Sequence, residues 1–168
     1  MGFKSRYVIC MPKETNFDDC HVINMVYSND LSKWIWIDPT CDAYVMDENG
    51  VLLGIEEVRE KLIKDKPLII NPDANWGREY SGNEYSQTKV TYLNIYMAKN
   101  LYRIKTPLVS EYNAETWEKG KEITYVELLP LDGIEQTPQK KVYTNENIGV
   151  TFTNYKTNNP DLFWTKPK

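Results

Sequence analysis

The chain holds a single histidine, His21, placed directly after a cysteine, Cys20. Further along, Asp38 opens an Asp-Pro-Thr turn. A carboxylate that grips one nitrogen of an imidazole fixes its tautomer and stabilises the imidazolium. The second ring nitrogen is then free to take a proton from a nucleophile. This chemistry requires that both side chains reach the same face. Residues 28–31 are turn-rich and separate two apolar runs, 20–27 and 33–37. A four-residue hairpin loop there pairs Tyr27 with Ser32, Met25 with Trp34, Ile23 with Trp36 and His21 with Asp38. Directly opposed residues have Cβ atoms about 4.5–5.5 Å apart, close enough for the contact. A three-residue loop would instead set Asp38 against Val22 and send the two groups to opposite faces. The same spacing also fits a purely structural histidine with its hydrogen bond satisfied.

Other chemistry-bearing residues point to blander roles. The cysteines, Cys10, Cys20 and Cys41, are odd in number and fit no zinc template, so they read as reduced, partly buried thiols. Asp18, Asp19, Cys20 and His21 are adjacent on a strand, alternate in direction and chelate poorly, whereas a stable zinc site needs three or four converging ligands. No metal or other cofactor is expected. Glu56, Glu57 and Glu60 read as a solvated helix face rather than as paired catalytic carboxylates.

The elements that must position the pair are mostly strands. Strands are expected at 6–11, 20–27 and 33–37, and residues 43–53 carry a hairpin signal around Glu48-Asn49-Gly50. A short helix at 55–64 buries Ile55, Val58, Leu62 and Ile63, with Glu56 and Glu57 suiting the dipole at its start. Residues 71–86 form a turn-rich loop. A longer helix follows at about 87–101, with Val90, Leu93, Met97 and Leu101 as its apolar stripe. Strands at 102–112, 122–129 and 148–155 complete the set, and Phe163 and Trp164 pin the tail. Strands and helices are segregated, which indicates a single α+β domain over 1–168 with an antiparallel sheet and a few helices. Hydrophobic residues make up 41% of the chain and charged residues 26%, as in a soluble globular protein. The net charge of −4 and the lack of a basic patch argue against a nucleic-acid partner. No apolar run reaches the ~18 residues of a membrane span, and the start shows no signal peptide. A cytoplasmic location is expected for the chain as given.

Three segments together resemble the bacterial transglutaminase-like superfamily: Gly2-Phe3-Lys4-Ser5-Arg6-Tyr7-Val8, Asp19-Cys20-His21-Val22 and Trp34-Ile35-Trp36-Ile37-Asp38-Pro39-Thr40. The resemblance implies a papain-like α+β fold. It makes His21 the catalytic base and acid, and Asp38 its orienter, in cysteine-dependent acyl transfer or amide hydrolysis on a protein or peptide substrate. Residues 1–70 would be the His/Asp half and 71–168 a C-terminal extension. In the family the nucleophilic cysteine precedes the first of these segments, and only Met1 precedes Gly2 here. The expectation is therefore a truncated domain, inactive alone. Cys20 should point away from His21, Cys10 has no helix N-terminus to activate it, and Cys41 is a poor substitute for the family's nucleophile. Without the nucleophile helix the sheet would lack its cover, so either a homodimer or a helix of this chain should close that face. The alternative is a non-catalytic peptide- or glycan-binding module using Trp34, Trp36, Trp76 and Tyr80, although core packing is the plainer role for Trp34 and Trp36.

Overall fold

The computed structural model describes residues 4–14, 19–75, 89–110, 122–130 and 138–165. The fold is mixed, mostly strand with few helices, as the α+β expectation has it. The chain divides into two compact units, residues 1–102 with 166–168, and residues 103–165.

In the first unit β1 (Ser5–Met11), β2 (His21–Ser28) and β3 (Lys33–Ile37) form an antiparallel meander in the order β3-β2-β1. Alternation dictates which side chains turn inward. Val8 and Cys10 on β1, Ile23, Met25 and Tyr27 on β2, and Trp34 and Trp36 on β3 are all buried. Val8 pairs with Ile23, Cys10 with His21, Met25 with Trp36 and Tyr27 with Trp34. Trp34 is closed in on its flanks by the Tyr27 ring edge, with centroids 5.3 Å apart, and by the Arg6 guanidinium 4.3 Å from its centroid. The two tryptophans of β3 are thus core residues.

The hairpin loop after β2 runs from Asn29 to Ser32, because Ser28 pairs with Lys33. This corrects the expected register, in which Tyr27 faced Ser32 and His21 faced Asp38. The ladder is shifted by two residues, and Ser32 takes φ 52° to close the turn. A shift of two leaves every side chain on its expected face.

Asp47 caps the tight reversal after β4 (Val45–Met46), its Oδ1 accepting from the N–H groups of Asn49 and Val51, with Gly50 at φ 78°. β4 pairs with β5 (Ile69–Ile70) rather than mainly with the returning arm, which contributes one bridge, Met46 to Leu52. The returning arm lies along β3, with the Trp36 N–H donating to the Leu53 carbonyl over 2.9 Å. It leads into α1 (Ile55–Ile63), whose Ile55 and Val58 are buried. The expected fourth member of its apolar face, Ile63, is 75% exposed at the helix end. Glu57 ties this junction together: its carboxylate accepts from the Gly54 N–H over 2.8 Å and from Lys33 Nζ over 2.7 Å.

The second long helix has π-type geometry over Lys89–Met97 and continues as α2 (Ala98–Asn100). Its i→i+5 bonding brings Tyr92 and Met97, five positions apart, onto one buried face with Leu93. Val90, expected in the apolar stripe, is 49% exposed instead. α2 packs against β1.

In the second unit β6 (Arg103–Ser110), β7 (Glu122–Leu128), β8 (Gln139–Asn145) and β9 (Val150–Thr157) lie in the order β6-β7-β9-β8. The β7–β9 pair is parallel, a departure from the antiparallel sheet expected. β8 was not foreseen. Its sequence, QKKVYTN, has no buried position, as befits an edge strand exposed on both faces. Phe163 is fully buried and lies edge-on to Trp164, anchoring the tail as expected.

Gly54 offers a direct check of the β3–α1 junction. A Cβ there would stand 2.5 Å from the Trp34 carbonyl oxygen, a backbone atom that cannot swing aside. Gly54→Ala is expected to cost about 1–3 kcal/mol through overpacking. A urea unfolding midpoint equal to that of the unaltered chain would show that the junction is looser than described.

Candidate active site

Asp38 is the first residue beyond β3, and the chain reverses around it. Its N–H donates to the Ala43 carbonyl over 2.8 Å, and its carbonyl accepts from the Ala43 N–H over 2.9 Å. The carboxylate Oδ1 accepts from the Thr40 N–H over 2.9 Å, a side-chain turn that aspartate favours. The loop is braced further by Asn71, buried on β5's C-terminal side. Asn71 Oδ1 accepts from the Tyr44 N–H, and its Nδ2 donates to the Asp42 carbonyl, both over 2.8 Å. The Asn75 N–H donates to the Cys41 carbonyl, also over 2.8 Å.

The structure brings His21 and Asp38 together. His21 Nε2 lies 2.6 Å from Asp38 Oδ2, with the histidine side chain 11% exposed and the aspartate fully buried. Because the register places Ile23 rather than His21 level with Asp38, the contact runs along the diagonal of the sheet face. Diagonal neighbours are about 7–8 Å apart at the backbone, within reach of an imidazole. The preserved parity of the two strands makes the contact possible, and exact opposition is not needed.

Tyr92 is a third member of the site that the sequence did not single out. Its hydroxyl donates to the same Asp38 Oδ2 over 2.6 Å, and its ring meets the His21 ring edge-on with centroids 6.3 Å apart. Tyr96, one turn on, also presents a ring edge to His21, at 5.5 Å and 76°. The Tyr96 hydroxyl donates to Asp19 Oδ1 over 3.3 Å, and Asp19 also pairs with Lys99. Neither tyrosine belonged to the expected stripe, which was counted on α-helical spacing. The signal for them was two tyrosines four apart on the helix next to a lone histidine strand. Tyr92, Leu93 and Met97 are the buried side chains of this helix, and Tyr92 brings it onto the site.

The electrostatics follow from these contacts. Burial pushes the Asp38 carboxyl up, but hydrogen bonds from His21 and Tyr92, the nearby His21 charge and the Thr40 N–H outweigh it and hold the group below the usual carboxylate range. Burial, reinforced by the Asp38 charge and hydrogen bond, pushes Tyr92 well above the ordinary phenol value. Tyr96 is pushed up to about 12 by burial and by Asp19. The Lys99 hydrogen bond holds Asp19 low.

The cysteines separate cleanly. Cys10 is fully buried beneath the pair, and burial with the Asp38 and Cys20 charges pushes its thiol up, so it stays protonated. Cys20 is exposed. Cys41 is 4% exposed and places its sulfur in a cluster with His21 and Asp38, in which the three functional atoms lie within 4.8 Å of one another. Of the other residues considered, Asp18, Trp76 and Tyr80 lie outside the described residues, and Asp19 is engaged by Lys99. Glu57 is spent on Gly54 and Lys33, while Glu56 and Glu60 are exposed on the helix, Glu60 beside Lys64.

Comparison of the chain with protein-family models, with curated proteins and with solved structures found no match. No helix among the described residues is long and apolar enough to cross a membrane.

The Tyr92 contact has a measurable consequence. A carboxylate whose native pKa is depressed adds stability that is present above its unfolded pKa of about 3.9 and is lost as pH falls through the native value. Tyr92→Phe removes one donor, raises the native pKa of Asp38 and should move the acid unfolding midpoint to higher pH. At pH 7 the loss should be about 1.5–3 kcal/mol, as for a hydrogen bond to a charged group. An acid midpoint unchanged in Tyr92→Phe, followed by tryptophan fluorescence, would show that Tyr92 does not support the carboxylate.

Proposed function

We propose that this chain carries the base and orienter of a transglutaminase-like, cysteine-dependent acyl-transfer site, with His21 moving the proton and Asp38 holding the ring. The observation that supports the reading is the 2.6 Å contact from His21 Nε2 to a fully buried carboxylate. Burying an ionised carboxylate costs several kcal/mol unless its lone pairs are met, and here three donors converge on it. This outlay is what an imidazolium formed during proton transfer requires.

In the proposed reaction Nδ1 of His21 takes the proton of a thiol. The thiolate attacks an acyl carbon, and the imidazolium returns the proton to the departing amine. The family's nucleophile sits on the N-terminal side of the first strand, and Cys10, Cys20 and Cys41 do not. The purified 168-residue chain is accordingly expected to show neither glutamine–lysine cross-linking nor amide hydrolysis. Turnover that disappears in His21→Ala would overturn this reading of an inactive chain. The binding-module alternative loses Trp34 and Trp36 as contact residues, since both are buried.

Because His21 is the only histidine, its ring gives an unambiguous NMR signal. The expected spectrum has a slowly exchanging Nε2–H resonance, shifted downfield by the carboxylate and moving upfield in Asp38→Asn. A ring N–H that exchanges freely in the unaltered chain would remove the basis for the assignment.

A further inference from the structure

The loop that carries Asp38 also carries a thiol, and the loop is built to hold that thiol still. Cys41 stands between Thr40, whose N–H is committed to Asp38, and Asp42, whose carbonyl is bound by Asn71 and whose φ is 46°. Its own carbonyl accepts from Asn75, and the Asp38–Ala43 bridge closes the loop on both sides. The sulfur therefore sits within 4.8 Å of the His21 and Asp38 functional atoms from a fixed backbone.

We propose that Cys41 and His21 form a reactive thiolate–imidazolium pair, with Asp38 holding the ring, and that Cys41 accepts a small acyl group from an activated ester or thioester as a covalent adduct. The proposal rests on the reading of His21 as a base. It goes beyond that reading by drawing the thiol from the loop after β3, a place from which the resemblance supplies no nucleophile.

The groups facing Cys41 decide the charge balance. From β2 comes His21, from the loop Asp38, and from the π helix Tyr92 and Tyr96, whose phenols stay neutral at neutral pH. Cys10, opposite His21 on β1, stays a neutral thiol. His21 is thus the one group of this set able to carry positive charge. The Asp38 charge opposes a thiolate, but its short hydrogen bond to the ring favours the imidazolium that a thiolate needs. The covalent step balances without any further reactant. The Cys41 proton passes to His21 Nδ1, the S–C bond forms at the carbonyl carbon, and the C–O or C–S bond to the leaving group breaks. The leaving group departs with the electron pair, and an activated one needs no proton. With Cys41 4% and His21 11% exposed, only a small acyl group reaches the sulfur.

The test uses the full chain with p-nitrophenyl acetate. A burst of p-nitrophenolate is followed by absorbance, and the acetyl group is located by peptide mass spectrometry. Exposed Cys20 serves as the internal reference thiol. The expected result is acetylation of Cys41 with a pH dependence that sets in below the ordinary thiol pKa of about 8.5, with Cys20 followed in the same reaction for comparison. His21→Gln should slow Cys41 roughly tenfold or more at pH 7 and leave Cys20 unchanged. The pH profile of the unaltered chain carries the test by itself if that variant does not fold. Acetyl found on Cys20 alone, or a Cys41 rate that tracks Cys20 across pH, overturns the proposal. If Cys41 fails while the His21 ring resonance is present, the thiol assignment falls and the base reading stands. If the resonance is absent as well, both fall.

Discussion

A buried negative charge organises the first unit. Asp38 has no solvent exposure, and its carboxylate is stable only because three donors converge on it from different parts of the chain. Each donor is a demand on the fold. His21 requires that β2 and β3 keep matching parity. Thr40 requires that the chain turn at Pro39. Tyr92 requires that a helix 54 residues downstream reach the same carboxylate. Removing any one donor leaves a desolvated oxygen undersatisfied, which costs more than an exposed hydrogen bond contributes. The core of Val8, Ile23, Met25 and Trp36 supplies the cohesion, and the polar site ties β2, the loop after β3 and the helix to one carboxylate.

Much of the His21–Asp38 half was legible because strand alternation is a strong constraint. The sequence placed β1, β2, β3 and the short helix within a residue or two, and it put His21 and Asp38 on one face. The register slipped by two because Ser28 stays in the ladder and Ser32 takes a left-handed conformation that residue type alone does not announce. The contact survived the slip because a period of two forgives even shifts and punishes only odd ones.

The rest was hidden for physical reasons that can be named. Tyr92 escaped because an α-helical count of the 87–101 segment assigns the inward face to Val90, whereas the wider π turn rotates Val90 out and Tyr92 in. β8 escaped because an edge strand with both faces in water needs no hydrophobic alternation, and Gln139, Lys140 and Lys141 carry no inward signal. Its lysines also discourage edge-to-edge pairing with a second sheet. Cys41 was visible as a residue near the site. Its fixed position was not, since that depends on Asn71 and Asn75, about thirty residues away in the chain.

The sharing of Asp38 Oδ2 by two donors couples two otherwise separate events. An imidazole and a phenol compete for the electron density of one oxygen, so a stronger bond to one leaves less for the other. The Tyr92 bond is one of the ties between the helix and the sheet. Thermodynamic reciprocity then applies: whatever free energy a tighter hold on the ring takes from the helix contact, displacement of the helix returns to that hold. The hold on the imidazole and the seating of the helix above it therefore meet at one oxygen atom.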